Sequence, residues 1–257
     1  MKTMIVAGAL ALATTPVLAQ DAGSSDQQPG WNGTGELGYV SSSGNSKSEN
    51  VNAKLGLKFE DEDWKHSFEL AWLRQRSEIT VLVDPNDPTS GVRELEDTAN
   101  RWQVGASTAR KLDERNSLYT SLRYDDDAFA AYDYQATVSV GWGHQAIRTE
   151  DTKLYFEVGP GYKRIKDSVT GESSSDFIAR GKLEFETALT ANTSLVDTAL
   201  VEAGPDNTFV QNDLGVKVAM NERFAIKAGL QLRYNSEVPE GRTSTDRLTT
   251  VNLVYDF

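Results

Sequence analysis

The sequence is dominated by apolar side chains that recur at every second position from Trp31 to the final residue, Phe257. A period of two is typical of strands with one apolar face, whereas an amphipathic helix repeats about every 3.6 residues. One clear run has the apolar residues Val51, Ala53, Leu55, Leu57 and Phe59. The positions between them include the polar residues Asn50, Asn52, Lys54 and Lys58. Twelve such runs follow one another, so the sequence predicts an all-β chain.

The connections between these runs alternate in length. Short polar turns lie at 60–63, 112–116, 146–152, 190–192 and 221–223. Mostly longer segments lie between them, at 41–47, 79–97, 125–131, 166–175, 203–208 and 235–244. Outer-membrane barrels have this arrangement, with short periplasmic turns and longer extracellular loops. The sequence therefore predicts a transmembrane, antiparallel, up-and-down β-barrel of about 12 strands over residues 31–257, with both ends in the periplasm.

A soluble β-sandwich is the other fold that this alternation allows, because its strands also have one apolar and one polar face. Most runs, however, reach the roughly 9 to 11 residues of a tilted membrane strand, whereas strands of globular proteins have about 5 to 6. Aromatic residues also fall near the predicted strand ends, where a membrane barrel has its aromatic girdles. Barrel closure removes the sheet edges, whose polar groups lipid cannot satisfy. Both observations favour the barrel.

The N-terminal segment "MKTMIVAGALALATTPVLA" (1–19) is typical of a secretory signal peptide, with a basic Lys2, an apolar run and small or apolar residues before the cut. We expect cleavage between Ala19 and Gln20 after export through the Sec pathway. Residues 20–30 are interpreted as a flexible mature N-terminus. The chain has no cysteine, which excludes a disulfide scaffold. Its 38 Asp and Glu against 26 Lys and Arg exclude the basic surface of a nucleic-acid-binding protein.

The last residues, "TTVNLVYDF", carry large apolar side chains at alternate positions and end on an aromatic residue. Most domains instead end in a polar, poorly ordered tail. The pattern resembles the C-terminal signature that the outer-membrane barrel assembly machinery recognises, so we expect this machinery to be a partner. The predicted assembly signal consists of Val251, Leu253, Tyr255 and Phe257.

The polar phase of the strands would line the barrel lumen, and its charged residues are the candidate functional residues. They are Lys54, Lys58, Glu69, Arg101, Asp133, Glu157, Arg180, Lys182, Glu184, Asp213, Lys217, Lys227 and Arg233. Both signs occur, whereas a strongly selective pore more often has rings of one sign. Charges in a confined lumen need a partner or water. The pattern therefore predicts either an ion-paired plug or a narrow wet channel.

Few residues suggest other chemistry. His66 and His144 fall in the apolar phase near predicted periplasmic turns, the wrong end for an enzyme acting on lipids of the outer leaflet. Two separate histidines without cysteine do not make a zinc or copper site. The acidic segments 84–97 and 125–127 are interpreted as solvated loops; the first lacks the spacing of a calcium-binding EF-hand. We predict no catalytic residue, no cofactor and no metal.

The first hairpin, "WNGTGELGYVSSSGNSKSENVNAKLGLKF", has Gly33, Gly35, Leu37 and Gly38 followed by "SGNS" (43–46). It resembles a bacterial family of salt-induced outer membrane proteins, the domain-of-unknown-function 481 family. The resemblance extends through "WKHSFEL" and "RYDDDAFAAYDYQATVSVGWG" and so covers most of the mature chain. It implies an outer-membrane barrel and no established reaction.

Three function classes follow from the sequence. The first is a narrow channel for small solutes or ions, and its alternative is a structural or stress-responsive envelope protein without transport. A lipid-modifying enzyme ranks third. The expected partners are outer-membrane lipid and lipopolysaccharide besides the assembly machinery, and the sequence leaves the oligomeric state open.

Overall fold

The computed structural model describes residues 30–43, 47–82, 91–238, 240 and 243–257. The predicted signal peptide (1–19), the cleavage site at Ala19 and Gln20 and the segment 20–29 lie outside these residues. Twelve strands make up most of the described chain: β1 Gly30–Ser42, β2 Ser48–Glu60, β3 Trp64–Leu82, β4 Gly91–Lys111, β5 Asn116–Asp127, β6 Tyr132–Arg148, β7 Thr152–Asp167, β8 Ser173–Thr190, β9 Thr193–Ala203, β10 Thr208–Ala219, β11 Phe224–Asn235 and β12 Thr245–Asp256. Among the described residues, no helix has the length and apolarity to cross a membrane.

The sheet closes on itself. Each strand pairs antiparallel with its neighbours in the chain, and β1 pairs with β12. At this seam, Thr34–Leu37 lie opposite Leu253–Asp256, and Gly33 and Phe257 exchange two backbone hydrogen bonds of 2.7 and 2.8 Å. The predicted closed, twelve-stranded, up-and-down barrel is confirmed.

The outer surface of the barrel is apolar because one phase of each strand faces outward. In β5, Leu118 and Leu122 are exposed whereas the intervening Ser121 is buried. In β11, Ile226 and Leu230 are exposed whereas Ala225 is buried. An apolar exterior around a polar interior is the arrangement of a transmembrane barrel of the outer-membrane type, because water would leave so much exposed apolar surface unfavourably solvated.

Aromatic rings form rows near both ends of this apolar surface. Trp102, Tyr124 and Tyr134 follow one another across β4, β5 and β6, with ring centroids 5.0 and 5.8 Å apart. At the opposite end the rows contain Trp31, Phe59, His66 and Trp64; Trp142, His144 and Phe156; and Phe224, Tyr255 and Phe257. Such rows are the aromatic girdles of membrane barrels, where amphipathic rings meet the lipid headgroups.

The end of the barrel that contains both the first residue of β1 and Phe257 is called the short-turn end, and the opposite end the long-loop end. Three turns at the short-turn end have the same cap. Oδ1 of Asp61, Asp113 or Asn221 accepts the backbone N–H groups two and three residues later, at 2.7 to 2.9 Å. Asn116 and backbone N–H groups hold the pKa of Asp113 below its usual value. The caps explain why polar residues at these positions end one strand and start the next.

Two segments predicted as loops are largely strand. β3 and β4 stay paired along a hairpin that takes up much of 79–97, and within it 83–90 lie outside the described residues. Arg74 donates to Asp97 at 2.8 Å across this hairpin. Similarly, Asp125–Asp127 are the last residues of β5. The prediction of a loop is wrong for Asp125–Asp127 and for the described part of 84–97, residues 91–97, because cross-strand and lumen partners such as Arg74 and Arg233 bind carboxylates that would otherwise favour a loop.

The outward position of Leu230, at the middle of β11, can be tested by a charge. Leu230→Arg is expected to destabilise the barrel by about 2 to 4 kcal/mol, because it places a cation near the middle of the lipid. Met220→Arg is the matched control, since Met220 is exposed in the turn after β10, and should cost about 0 to 1 kcal/mol. Denaturant titration of the lipid-refolded protein measures both. Equal losses would contradict the assigned membrane depth.

Candidate functional site

The inner face of the barrel carries most of the candidate residues. The structure places twelve of the thirteen predicted lumen residues there: Lys54, Lys58, Glu69, Arg101, Glu157, Arg180, Lys182, Glu184, Asp213, Lys217, Lys227 and Arg233. Further charged residues that the prediction lacked join them, among them Glu36, Arg123, Asp125, Asp127, Lys163, Glu202 and Asp256. The lumen is therefore more charged and more nearly balanced than the sequence pattern indicated.

Asp133 is the one predicted lumen residue that does not lie on the inner face. The register of β6 shifts between Tyr132 and Tyr134, so that Tyr132 is buried while Tyr134 belongs to an outer aromatic row. Asp133 is the extra residue of this bulge and pairs with Lys166 at 2.9 Å, with its side chain 40% exposed. A bulge adds one residue and thereby changes the phase, which strict alternation cannot anticipate.

Six charged residues near the long-loop end form a neutral network, here called the upper cluster: Arg123, Asp125, Asp127, Lys163, Glu202 and Arg233. Glu202 binds both Arg123 and Lys163 at 3.1 Å. Arg233 binds Asp125 at 2.8 Å and Asp127 at 3.4 Å. Glu202 is fully buried and Asp125 is 2% exposed. Three cations and three anions in contact neutralise one another, as buried charges require.

Phe209 lies against the upper cluster and is fully buried. Its ring centroid is 4.4 Å from the guanidinium carbon of Arg123, 5.0 Å from Lys163 Nζ and 5.2 Å from the guanidinium carbon of Arg233. The negative face of an aromatic ring attracts such cations. Phe209 therefore packs against the three cations of the upper cluster near the long-loop end. Its position directly after a predicted loop gave no sign of this role in the sequence.

The remaining charges of the inner face form smaller groups, of which Arg180 lies beside the upper cluster, opposite Glu202. Arg180 binds Glu157 at 2.7 Å, and Lys182 binds Glu184 at 2.6 Å. On the other wall, Lys227 binds Glu36 at 2.8 Å. The contrast with the upper cluster is that these pairs are distributed around the ring and leave space between them.

Two cavities lie in the lumen beside the upper cluster, and Asp127 and Arg233 of that cluster line one of them. The lower cavity has a volume of about 160 Å³ and is bounded by residues of β1–β4 and β8–β12. The upper cavity, of about 190 Å³, lies towards the long-loop end and is bounded by β3–β5, β11 and β12 and by the segment after β5. Both share four lining residues: Leu73, Arg101, Gln231 and Leu248. Each can hold several water molecules.

A hydrogen-bonded bridge separates the two cavities. Arg101 Nη2 donates to Gln231 Oε1, and Gln231 Nε2 donates to Asp213 Oδ1. Gln211 Nε2 donates to the other carboxylate oxygen of Asp213 at 2.7 Å. Arg101 on β4 and Gln231 on β11 are brought together from distant strands, so this bridge crosses the lumen where the two cavities adjoin.

The histidines lie outside the lumen. His66 stacks on Trp64 in an outer aromatic row, with centroids 5.9 Å apart, and His144 Nδ1 lies 2.9 Å from Asn116 Oδ1. Among the residues that the structure describes, no group of three or more His, Cys, Asp or Glu could hold a metal ion. The structure thus brings neither histidine to the cavities.

The sequence matches the model of one protein family, described as "Protein of unknown function, DUF481", over residues 35–257. A curated relative in Escherichia coli (strain K12), Uncharacterized protein YdiY, is 24% identical over 223 residues, which cover 86% of this chain and 81% of that protein.

Three solved structures illustrate the general likeness. An outer membrane channel from Pseudomonas putida F1 has a TM-score of 0.48 and 10% identity, covering 93% of this chain and 99% of that one. NanC porin has a TM-score of 0.47 and 13% identity, covering 88% and 98%. The translocator domain of the autotransporter NalP from Neisseria meningitidis has a TM-score of 0.45 and 12% identity, covering 88% and 86%.

The upper cluster predicts a strong dependence of stability on Glu202. Glu202→Gln keeps the shape of the side chain but leaves Arg123 and Lys163 without their shared anion, and should cost about 3 to 5 kcal/mol. Asp133→Asn removes an exposed ion pair by the same chemical change and should cost about 0 to 1 kcal/mol. Urea titration of the refolded barrel compares them. A Glu202→Gln loss as small as that of Asp133→Asn would contradict the described network.

Proposed function

The chain belongs to the DUF481 family, as the first hairpin predicted, and because that description assigns no activity we propose a function from the lumen. We propose that the protein is a non-enzymatic barrel of the bacterial outer membrane that passes small hydrated solutes or ions. The observation that supports this proposal is that two adjoining cavities in the lumen share the lining residues Arg101 and Gln231.

The physical basis for the passage of small solutes is the distribution of polar groups along the two cavities. Charged or amide side chains line both of them, so water and solutes can exchange hydrogen bonds along the path. The upper cluster and Phe209 fill the adjoining part of the lumen, and Asp127 and Arg233 of the cluster line the upper cavity. The path therefore passes beside the upper cluster and narrows at the Arg101–Gln231–Asp213 bridge, which limits it to small solutes.

The second candidate is a structural or stress-responsive envelope protein without transport. The same bridge supports it, since Arg101 and Gln231 are in hydrogen-bond contact across the constriction. A lipid-modifying enzyme has less support, because His66 and His144 lie in outer aromatic rows at the short-turn end.

We further propose that the short-turn end faces the periplasm and that lipopolysaccharide surrounds the long-loop end, as short turns and longer loops indicate. Export through the Sec pathway and recognition by the barrel assembly machinery belong to the same proposal. The C-terminal residues support it: Tyr255 and Phe257 stack in the outer row at the short-turn end. The Phe257 ring also covers Gly33, where any Cβ would meet it.

The channel proposal predicts small conductance steps in planar bilayers. Gln231→Ala should raise the single-channel conductance, because it removes the side chain that joins Arg101 to Asp213. Gln145→Ala is the matched control, since Gln145 lines neither cavity and should leave conductance unchanged. Absence of steps in both the wild type and Gln231→Ala would refute transport and favour the structural alternative.

The assembly proposal predicts that deletion of Phe257 impairs insertion more than secretion. The truncated protein should lose its signal peptide and then accumulate in the periplasm or be degraded there, because one aromatic anchor and the terminal recognition residue are lost together. Heat-modifiable migration of the outer-membrane fraction measures insertion. Phe177→Ala removes an aromatic ring that is 80% exposed at the long-loop end and should insert normally. Wild-type levels of inserted barrel after the Phe257 deletion would contradict the assembly role.

A further inference from the structure

The lower cavity contains charged groups that have no close ion-pair partner. Lys227 and Lys182 are neutralised by Glu36 and Glu184. Among the described residues, by contrast, no opposite charge lies within 4.0 Å of Lys54, Glu69 or Asp213. The remaining cation at the cavity, Arg101, has its nearest carboxylate, Asp127, only at 4.0 Å. Lys54, Glu69 and Asp213 thus face the cavity without a direct ion pair to any described residue, and Arg101 has only this long one.

These four groups come from opposite walls. Lys54 on β2 lies opposite Ala71, and Glu69 on β3 lies opposite Gly56, so the two are diagonal neighbours on the inner face. Diagonal residues are roughly 7 to 8 Å apart, close enough for their charges to interact, and the charge of Lys182 on β8 acts on Glu69 more strongly than that of Lys54 does. Asp213 on β10 and Arg101 on β4 are held by amide hydrogen bonds across the barrel. The lower cavity therefore presents both signs at fixed positions around one space.

This arrangement selects a class of ligand. A singly charged ion would be attracted by one pair of groups and repelled by the other, whereas a zwitterion can satisfy both. Charge-assisted hydrogen bonds in an enclosed site are stronger than neutral ones. The volume of about 160 Å³ corresponds to about five water molecules at about 30 Å³ each, which is the scale of a molecule with five non-hydrogen atoms.

We propose that the lower cavity is a binding site for a small zwitterion of the amino-acid type, with its carboxylate at Lys54 and its ammonium group at Glu69. The proposal deepens the proposed function, since it names the solute class of the same path. Binding, however, is an equilibrium property that does not require conduction.

The test uses glycine, acetate and methylamine as matched probes, because the last two each retain one charged end of glycine. Isothermal titration of the full barrel in detergent should show glycine binding at least about tenfold tighter than either probe, since a lost charge-assisted hydrogen bond is worth at least that factor. Acetate or methylamine binding as tightly as glycine, or no glycine binding at all, would overturn the proposal.

Substitutions of Lys54 and Glu69, the two residues proposed to bind the charged ends of the ligand, give a second test. Glu69→Gln should weaken glycine at least about tenfold and make acetate the preferred probe, whereas Lys54→Gln should make methylamine the preferred one. Lys166→Gln removes a cation on the outside of the barrel. It should change neither the affinity for glycine nor the preferred probe. Heat-modifiable migration verifies folding, and the double variant Lys54→Gln/Glu69→Gln, which removes one charge of each sign, should lose glycine binding even if a single variant does not fold. Unchanged glycine binding in a folded single variant or in the folded double variant would refute the site.

The two proposals can fail separately. A barrel that binds glycine but never conducts would refute transport and keep the site. A barrel that conducts small ions but has no preference for glycine would refute the site and keep the channel.

Discussion

Every backbone N–H and C=O group of a lipid-embedded strand must find its partner within the protein, because lipid offers none. Pairing of β1 with β12 meets this requirement, and the rest of the structure depends on it. Once the ring is closed, each strand has one face towards lipid and the other towards an enclosed lumen. The same alternation that removes apolar side chains from water therefore forces charged side chains into a confined space.

The charged side chains are accommodated in this confined lumen in two ways. Across β5–β11, buried ions and the Phe209 ring fill the interior, and the three cations and three anions of the upper cluster neutralise one another. Around the lower cavity, which β1–β4 and β8–β12 bound, pairs such as Lys227 with Glu36 leave space between them. This difference matters for function, because it leaves the free volume in two adjoining cavities with a fixed set of lining groups.

Alternation in the sequence was sufficient for the strand number, the pairing order and the inward position of most candidate residues. It failed where a local event changed the phase or extended a strand. The bulge at Asp133 turned that side chain out of the lumen. Asp125–Asp127 have the composition of a loop, yet Arg233 across the lumen makes Asp125 and Asp127 stable in a strand. Such partners come from strands about 100 residues away, at |i−j| = 108 for Asp125 and Arg233, so no local pattern could reveal them.

The seam between β1 and β12 also has a kinetic consequence. It pairs five residues on each side, Gly33–Leu37 with Leu253–Phe257, whereas β1 pairs with β2 over its whole length. Its residues are far apart in the chain, at |i−j| = 222 for Thr34 and Asp256. Loop-closure entropy makes such a contact about 3 to 4 kcal/mol costlier to form than a hairpin with a four-residue turn. The high contact order implies that the seam forms last. Until then, β1 and β12 are open strand edges, the state in which a chain is most prone to pair with another copy of itself.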